Sequence, residues 1–186
     1  MSRQHNGTAS NSLNLLALCT GNVARSVMLG YMLTDVAEAN GLNWRVRTAG
    51  THVVEGSAMS SRTRDALLRV DGLGEHHFGT HRSHQLTLDD VSWADALLTS
   101  EASHVRYVRA NFGDTAKSVS LGQFLREAPL DVSFDEQVQF VASLEPLDYF
   151  DVEDPAGKDQ AAYDECATLL WEMAQAFAAL VTDESI

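Results

Sequence analysis

Cysteine, proline and lysine are scarce in this chain, and each scarcity removes a class of protein. Two cysteines among 186 residues, Cys19 and Cys166, lie far apart and make no disulfide framework. A reducing compartment suits both, and the cytoplasm is the expected location. Three prolines leave no proline-rich linker or low-complexity stretch. No apolar run approaches the roughly 20 residues that cross a bilayer. The opening residues, MSRQHNGTASNS, are polar and lack an apolar h-region, so residues 1–12 read as a disordered tail and not as a secretory signal. Basic residues number 13 against 26 acidic ones, a formal charge of -13, and no basic stripe offsets it. Such a field repels nucleic acid and anionic lipid, so neither is an expected partner. What remains is 45% hydrophobic and 21% charged, the composition of a single globular domain over residues 13–186.

Along that domain short apolar runs alternate with helical periods. Leu13 to Leu18 (LNLLAL) reads as a buried strand, and Val27 to Ala39 as a helix with Met28, Met32, Val36 and Ala39 on one face. Trp44 to Thr48 alternates like a strand, and Ser60 to Val70 reads as a helix turning Ala66, Leu67 and Val70 inward. Asp95 to Leu98 and Ser118 to Leu121 are further strands, with a helix over Glu101 to Ala110 between them. Phe134 to Ser143 is an additional helix. Asp159 to Leu180 carries Ala162, Cys166, Leu169, Leu170, Met173, Phe177 and Leu180 at amphipathic spacing, which makes Cys166 a buried core thiol. The expected class is α/β: a three-layer sandwich with a central, mostly four-stranded parallel sheet and helices on both faces.

The chemistry concentrates between the first strand and the first helix, at Cys19-Thr20-Gly21-Asn22-Val23-Ala24-Arg25-Ser26. Amides of a tight turn opening into a helix converge on one spot and carry partial positive charge. Gly21 and Asn22 tolerate the left-handed angles that such a curl needs. Arg25 adds a planar fork matched to two phosphate oxygens. This potential favours the thiolate of Cys19, a nucleophile toward phosphorus, with the loop amides and Arg25 holding the equatorial oxygens. Ser26 is placed to hydrogen-bond the sulfur as it leaves. No metal or other cofactor is required. The plainer reading is a structural cysteine that ends a strand, with Ser26 capping the helix.

CTGNVARS resembles the phosphate loop of the low-molecular-weight protein-tyrosine-phosphatase family, at the same place near the N-terminus. VRTAGT (Val46 to Thr51), GTHRSHQLT (Gly79 to Thr87), ADALLTSEASHVRYV (Ala94 to Val108) and VEDPAG (Val152 to Gly157) are similar to further family segments in the same order. The resemblance implies a phosphomonoester hydrolase, of the protein-tyrosine type, that works through a cysteinyl-phosphate. Asp154 would protonate the leaving group and then activate water, stiffened by Pro155, although Asp-Pro by itself is an ordinary Asx turn. Asn22, Thr48 and His81 would hold the loop rigid. The implied partner is a phosphorylated protein or a small phosphomonoester, and no oligomeric state follows.

The chain departs from that family pattern in three places. Val27 stands where the family has proline, Ala24 where many members carry a second loop cysteine, and Ala156-Gly157 where tyrosines wall the pocket. The last change weakens the case for phosphotyrosine. An arsenate reductase of the same fold is an alternative, but it needs a cysteine relay and only Cys166 is at hand. A phosphate-binding regulatory protein with weak catalysis is another, opposed by the joint presence of Cys19, Arg25 and Asp154. His76, His77, His81 and His84 invite a metal-site reading, but no cysteine ligand lies nearby and their spacing matches no known helical pair.

Overall fold

The computed structural model describes residues 12–74, 78–113 and 117–182. The tail before residue 12, with His76 and His77, lies outside these residues. Four strands form one parallel sheet: β1 (Leu13–Cys19), β2 (Trp44–Gly50), β3 (Ala96–Thr99) and β4 (Ser118–Ser120). Their order is β2-β1-β3-β4, so β1 is central, pairing Leu13 with Trp44 on one side and Leu15 with Ala96 on the other. Burial on both faces explains why LNLLAL is a continuous apolar run and not an alternating one.

Alternate residues of β1 serve opposite cores. Leu15 and Ala17 meet helices α1 (Arg25–Ala39), α2 (Ser61–Leu67), α5 (Leu121–Glu127), α6 (Phe134–Ser143) and α7 (Gln160–Thr182). Leu16 and Leu18 meet α3 (Leu88–Trp93) and α4 (Ala102–Phe112) through Val91, Trp93, Val108 and Phe112. Three layers result, as the alternation of strands and helices required. The segment inserted before the last helix enlarges one core: Phe124 of α5 and Phe134 of α6 both pack on Phe177 of α7, at 5.5 and 6.0 Å between ring centres. Gln123 also holds the chain that leads to residue 151, accepting from Leu147 N and donating to Glu145 O.

The elements differ from the sequence expectation in detail. Helix α3 is short and was not anticipated, although Thr87 and Asp90 form the reciprocal capping box that starts it. Helix α5 was also missed, because seven residues show too little period to separate helix from loop. Ala39 and Leu169, both expected on apolar faces, are exposed. Ala39 ends its helix, and Leu169 sits on the outer side of α7.

Candidate active site

Strand β1 ends at Cys19, and its successor residues curl into α1 without a conventional cap. The residue preceding the helix is Ala24, whose side chain accepts nothing. Four carbonyls of the loop are held by groups outside it. Cys19 O accepts from Thr51 N, Thr20 O from His52 N, and Val23 O from both Ser60 N and Thr63 Oγ1. Asn22 O accepts from His81 Nε2 at 2.8 Å. The amides of residues 20–24 donate to no acceptor among the described residues. Peptide units whose oxygens point away must turn their N–H groups inward, and an uncapped helix start adds its own dipole. The result is an anion cradle beside a sulfur.

Asn22 closes the curl. It has φ 52°, in the left-handed region, where asparagine is among the few tolerated side chains. Its amide donates to Ser26 Oγ at 2.9 Å and its Oδ1 accepts from His84 N at 2.9 Å. Ser26 Oγ lies 3.0 Å from Cys19 Sγ. Since Asn22 already donates to that oxygen, the serine hydrogen is free for the sulfur. Ser26 is therefore a partner of the cysteine, not a helix cap. Gly50, at the end of β2, lets the strand approach closely: a β-carbon there would fall 2.5 Å from Thr20 O.

Arg25 is 1% exposed and links the loop to a second region. One terminal nitrogen donates to Glu101 and to Val152 O, the latter at 3.0 Å, and the other donates to Asp154 Oδ2 at 2.6 Å. Burial acts to lower the guanidinium pKa, but the Glu101 hydrogen bond and the Asp154 and Glu101 charges outweigh it, so the value is raised. Those bonds leave the Nε–H and one further N–H uncommitted, a pair suited to two phosphate oxygens. Glu101 is itself held: its carbonyl accepts from Thr99 Oγ1 and its second carboxylate oxygen from Ser103 Oγ. Ala102 N donates to Asp151 Oδ1 and Val152 N to Ser100 O, stitching the start of α4 to the approach of Asp154.

Asp154 is 40% exposed on its side chain, at the mouth. Its Oδ1 also accepts from Ala156 N, so the residue makes an Asx turn as well as pairing with Arg25. Lys158 N closes the following turn on Pro155 O, and Gly157, at φ 80°, occupies its left-handed position. The turn itself thus asks for glycine where the family carries an aromatic.

Of the residues expected to support the loop, Asn22 hydrogen-bonds within it, His81 hydrogen-bonds to it, and Thr48 makes no hydrogen bond to it among the described residues. The Thr48 methyl occupies the space above Gly30 where a β-carbon would sit, and its hydroxyl has no partner among the described residues. His81 is neutral-leaning, its pKa lowered chiefly by burial. His84 stands between Asp90 and Glu55, at 2.8 and 3.2 Å, and these hydrogen bonds raise its pKa against the opposing effect of burial. Glu101, His104, Asp90 and His84 were all missed as site residues. The capping signature at Thr87–Asp90 and the position of Glu101 just past a strand were the available signals.

The family model described as low molecular weight phosphotyrosine protein phosphatase matches residues 14–185. A protein-arginine-phosphatase of Bacillus subtilis (strain 168) is 33% identical over 102 residues, which cover 54% of this chain and 64% of that relative's length. The low molecular weight protein-tyrosine-phosphatase PtpB of Staphylococcus aureus is 28% identical over 117 residues, 62% of this chain and 76% of the relative. Among solved structures, the low molecular weight protein tyrosine phosphatase from T. tengcongensis superposes with a TM-score of 0.71 at 25% identity, covering 89% of this chain and 97% of that one. With the match running from β1 through α7, and the anion cradle at the end of β1, the chain belongs to the low molecular weight phosphotyrosine protein phosphatase family.

Proposed function

We propose that this protein hydrolyses phosphomonoesters of phosphorylated proteins, of the phosphotyrosine type, through a cysteinyl-phosphate. The supporting observation is that the amides of residues 20–24 donate to no acceptor among the described residues, while Arg25 keeps two N–H groups uncommitted at the end of the same loop. Cys19 Sγ attacks phosphorus, the bond from phosphorus to the leaving oxygen breaks, and its electron pair stays on that oxygen. Asp154 supplies the proton that makes the oxygen a neutral leaving group. In the second half a water attacks the cysteinyl-phosphate, Asp154 takes its proton, and sulfur departs with the Ser26 hydroxyl donating to it. Charge on the equatorial oxygens is met by Arg25 and the loop amides, so no metal is needed for that task. Thr20, Gly21, Asn22, Val23, Ala24 and Ser26 form the phosphate-holding loop, with His81 and Pro155 in support. A reducing, cytoplasmic setting would keep Cys19 free.

A second reading concerns the leaving group. The relatives named as arginine phosphatases suggest a phosphorylated guanidine, and two features here favour it. Ala156 and Gly157 leave no aromatic wall, and the acidic groups nearest Arg25 are Glu101 and Asp154, which suit a cationic leaving group. The arsenate reductase alternative lacks support. Cys166 is 6% exposed and burial pushes its thiol up to about 12, which makes it a poor relay partner.

The test is hydrolysis of an aryl phosphate in the presence of chelator, beside matched peptides carrying phosphotyrosine or phosphoarginine. Wild type should release phosphate and Cys19→Ser should lose at least about 10^4-fold in kcat. Equal activity of the two proteins would sink the proposal, and the peptide pair decides between the two leaving groups.

A further inference from the structure

Arg25 is not the only loop residue held from the first turn of α4. Glu101 and His104 stand three residues apart there, and so share a face of the helix. Glu101 takes Arg25 at the end of the loop, while His104 reaches Thr20 at its start, with Nε2 2.9 Å from Thr20 Oγ1. The imidazole belongs to a residue only 3% exposed, and its Nδ1 has no hydrogen-bond partner. That orphan decides the tautomer. A buried N–H without an acceptor is rarer and costlier than a bare acceptor, so the proton is assigned to Nε2 and His104 donates to Thr20. Burial, opposed by the Glu101 charge, lowers the imidazole pKa to about 4, which keeps the ring neutral at pH 7.

With its oxygen accepting from His104, the Thr20 hydroxyl keeps its own hydrogen, for which the described residues offer no acceptor. The other hydroxyl of the loop follows the same logic. Asn22 donates to Ser26 Oγ, and the serine hydrogen is thereby left for the sulfur. In each case a donor behind the hydroxyl turns it into a donor toward the site.

We propose that His104 is a positioning residue for the phosphate loop: by donating to Thr20 Oγ1 it fixes the first turn of the loop and commits the Thr20 hydroxyl hydrogen to the bound phosphoryl group. This rests on the phosphatase reading and goes beyond it. Thr20 is the residue that touches the oxyanion, His104 acts through it, and Glu101 holds the opposite end of the same loop from the same helical turn.

The full chain is assayed with an aryl phosphate, with orthovanadate as the probe of oxyanion binding and thermal unfolding in parallel. His104→Leu and Thr20→Val should each weaken vanadate inhibition about tenfold, the loss of one hydrogen bond to a charged group, and lower kcat/KM by a similar factor. The double variant should be no weaker than either single one. Thr20→Ser and His104→Gln, whose side-chain amide reaches as far as Nε2, should recover most of the loss. The proposal is overturned by unchanged vanadate inhibition in His104→Leu, by losses that multiply in the double variant, or by a lower melting temperature with inhibition intact. If His104→Leu does not fold, Thr20→Val against Thr20→Ser decides, equal inhibition overturning it. A wild-type chain that neither turns over nor binds vanadate overturns the phosphatase reading instead.

Discussion

The loop that follows Cys19 and the segment around Asp154 meet at Arg25, but they are held by different means. Residues 19–26 are contiguous, and their shape follows from backbone groups: carbonyls tied outward to Thr51, His52, Ser60 and His81, amides left inward. Residues 151–157 owe their place to side chains drawn from elsewhere. Asp151 is fixed on the start of α4, Val152 and Asp154 on Arg25, and the chain before them on Gln123 of α5. The first region is held as one unit by bonds to its own backbone. The second is a set of individually removable contacts, and under the proposed reaction Asp154, 40% exposed on its side chain, would leave Arg25 for a leaving group without dismantling the cradle.

The strongest way to break this comparison is to remove the link itself. Arg25→Lys retains charge but cannot serve Glu101, Val152 O and Asp154 at once. It should cost about 10^3-fold in kcat and roughly 3 kcal/mol in stability, because the half-buried Glu101 loses its partner. Turnover kinetics and denaturant unfolding measure both. Asp154→Asn isolates the acid loop: kcat should fall about 10^2- to 10^3-fold while the vanadate inhibition constant moves less than about threefold. A parallel loss of inhibition would mean that the two regions are not separable.

Asn22→Ala should injure the cradle alone. It removes the donor to Ser26 and the acceptor for His84 N, and it places alanine at a positive φ, so about 2 kcal/mol of stability and about tenfold in kcat are expected to go. The smallest effect is read from pH. His104 has its native pKa lowered to about 4 from 6.5, so between those values the unfolded chain binds more protons than the native one. The stability contribution is thus intact above 6.5 and is lost as pH falls toward 4. His104→Gln should flatten that acid limb in unfolding curves recorded at several pH values. His84, with its pKa raised, has the opposite sign: its contribution fades as pH rises above 6.5.

Much of the loop was legible beforehand because its chemistry is local. A strand, a curl with Gly21 and Asn22, an arginine and a helix period are all written within two dozen residues. Hydrophobic period carried α6 to its observed limits and located α1, α4 and α7 to within a few residues. Short elements escaped, because six or seven residues contain fewer than two turns of evidence. Thr48 was assigned to the loop through the family pattern, and the structure turns its methyl over Gly30 instead.

By itself the order of residues determined the strands of the sheet, the curl after Cys19 and the choice of Cys19 as the proposed nucleophile, since backbone propensity and apolar period act over short distances. Only tertiary packing decided which carboxylates meet Arg25 and which imidazole meets Thr20. Glu101 lies 76 residues from its arginine and His104 lies 84 from its threonine. No local preference encodes such separations; the parallel crossovers that bring β3 beside β1 create them.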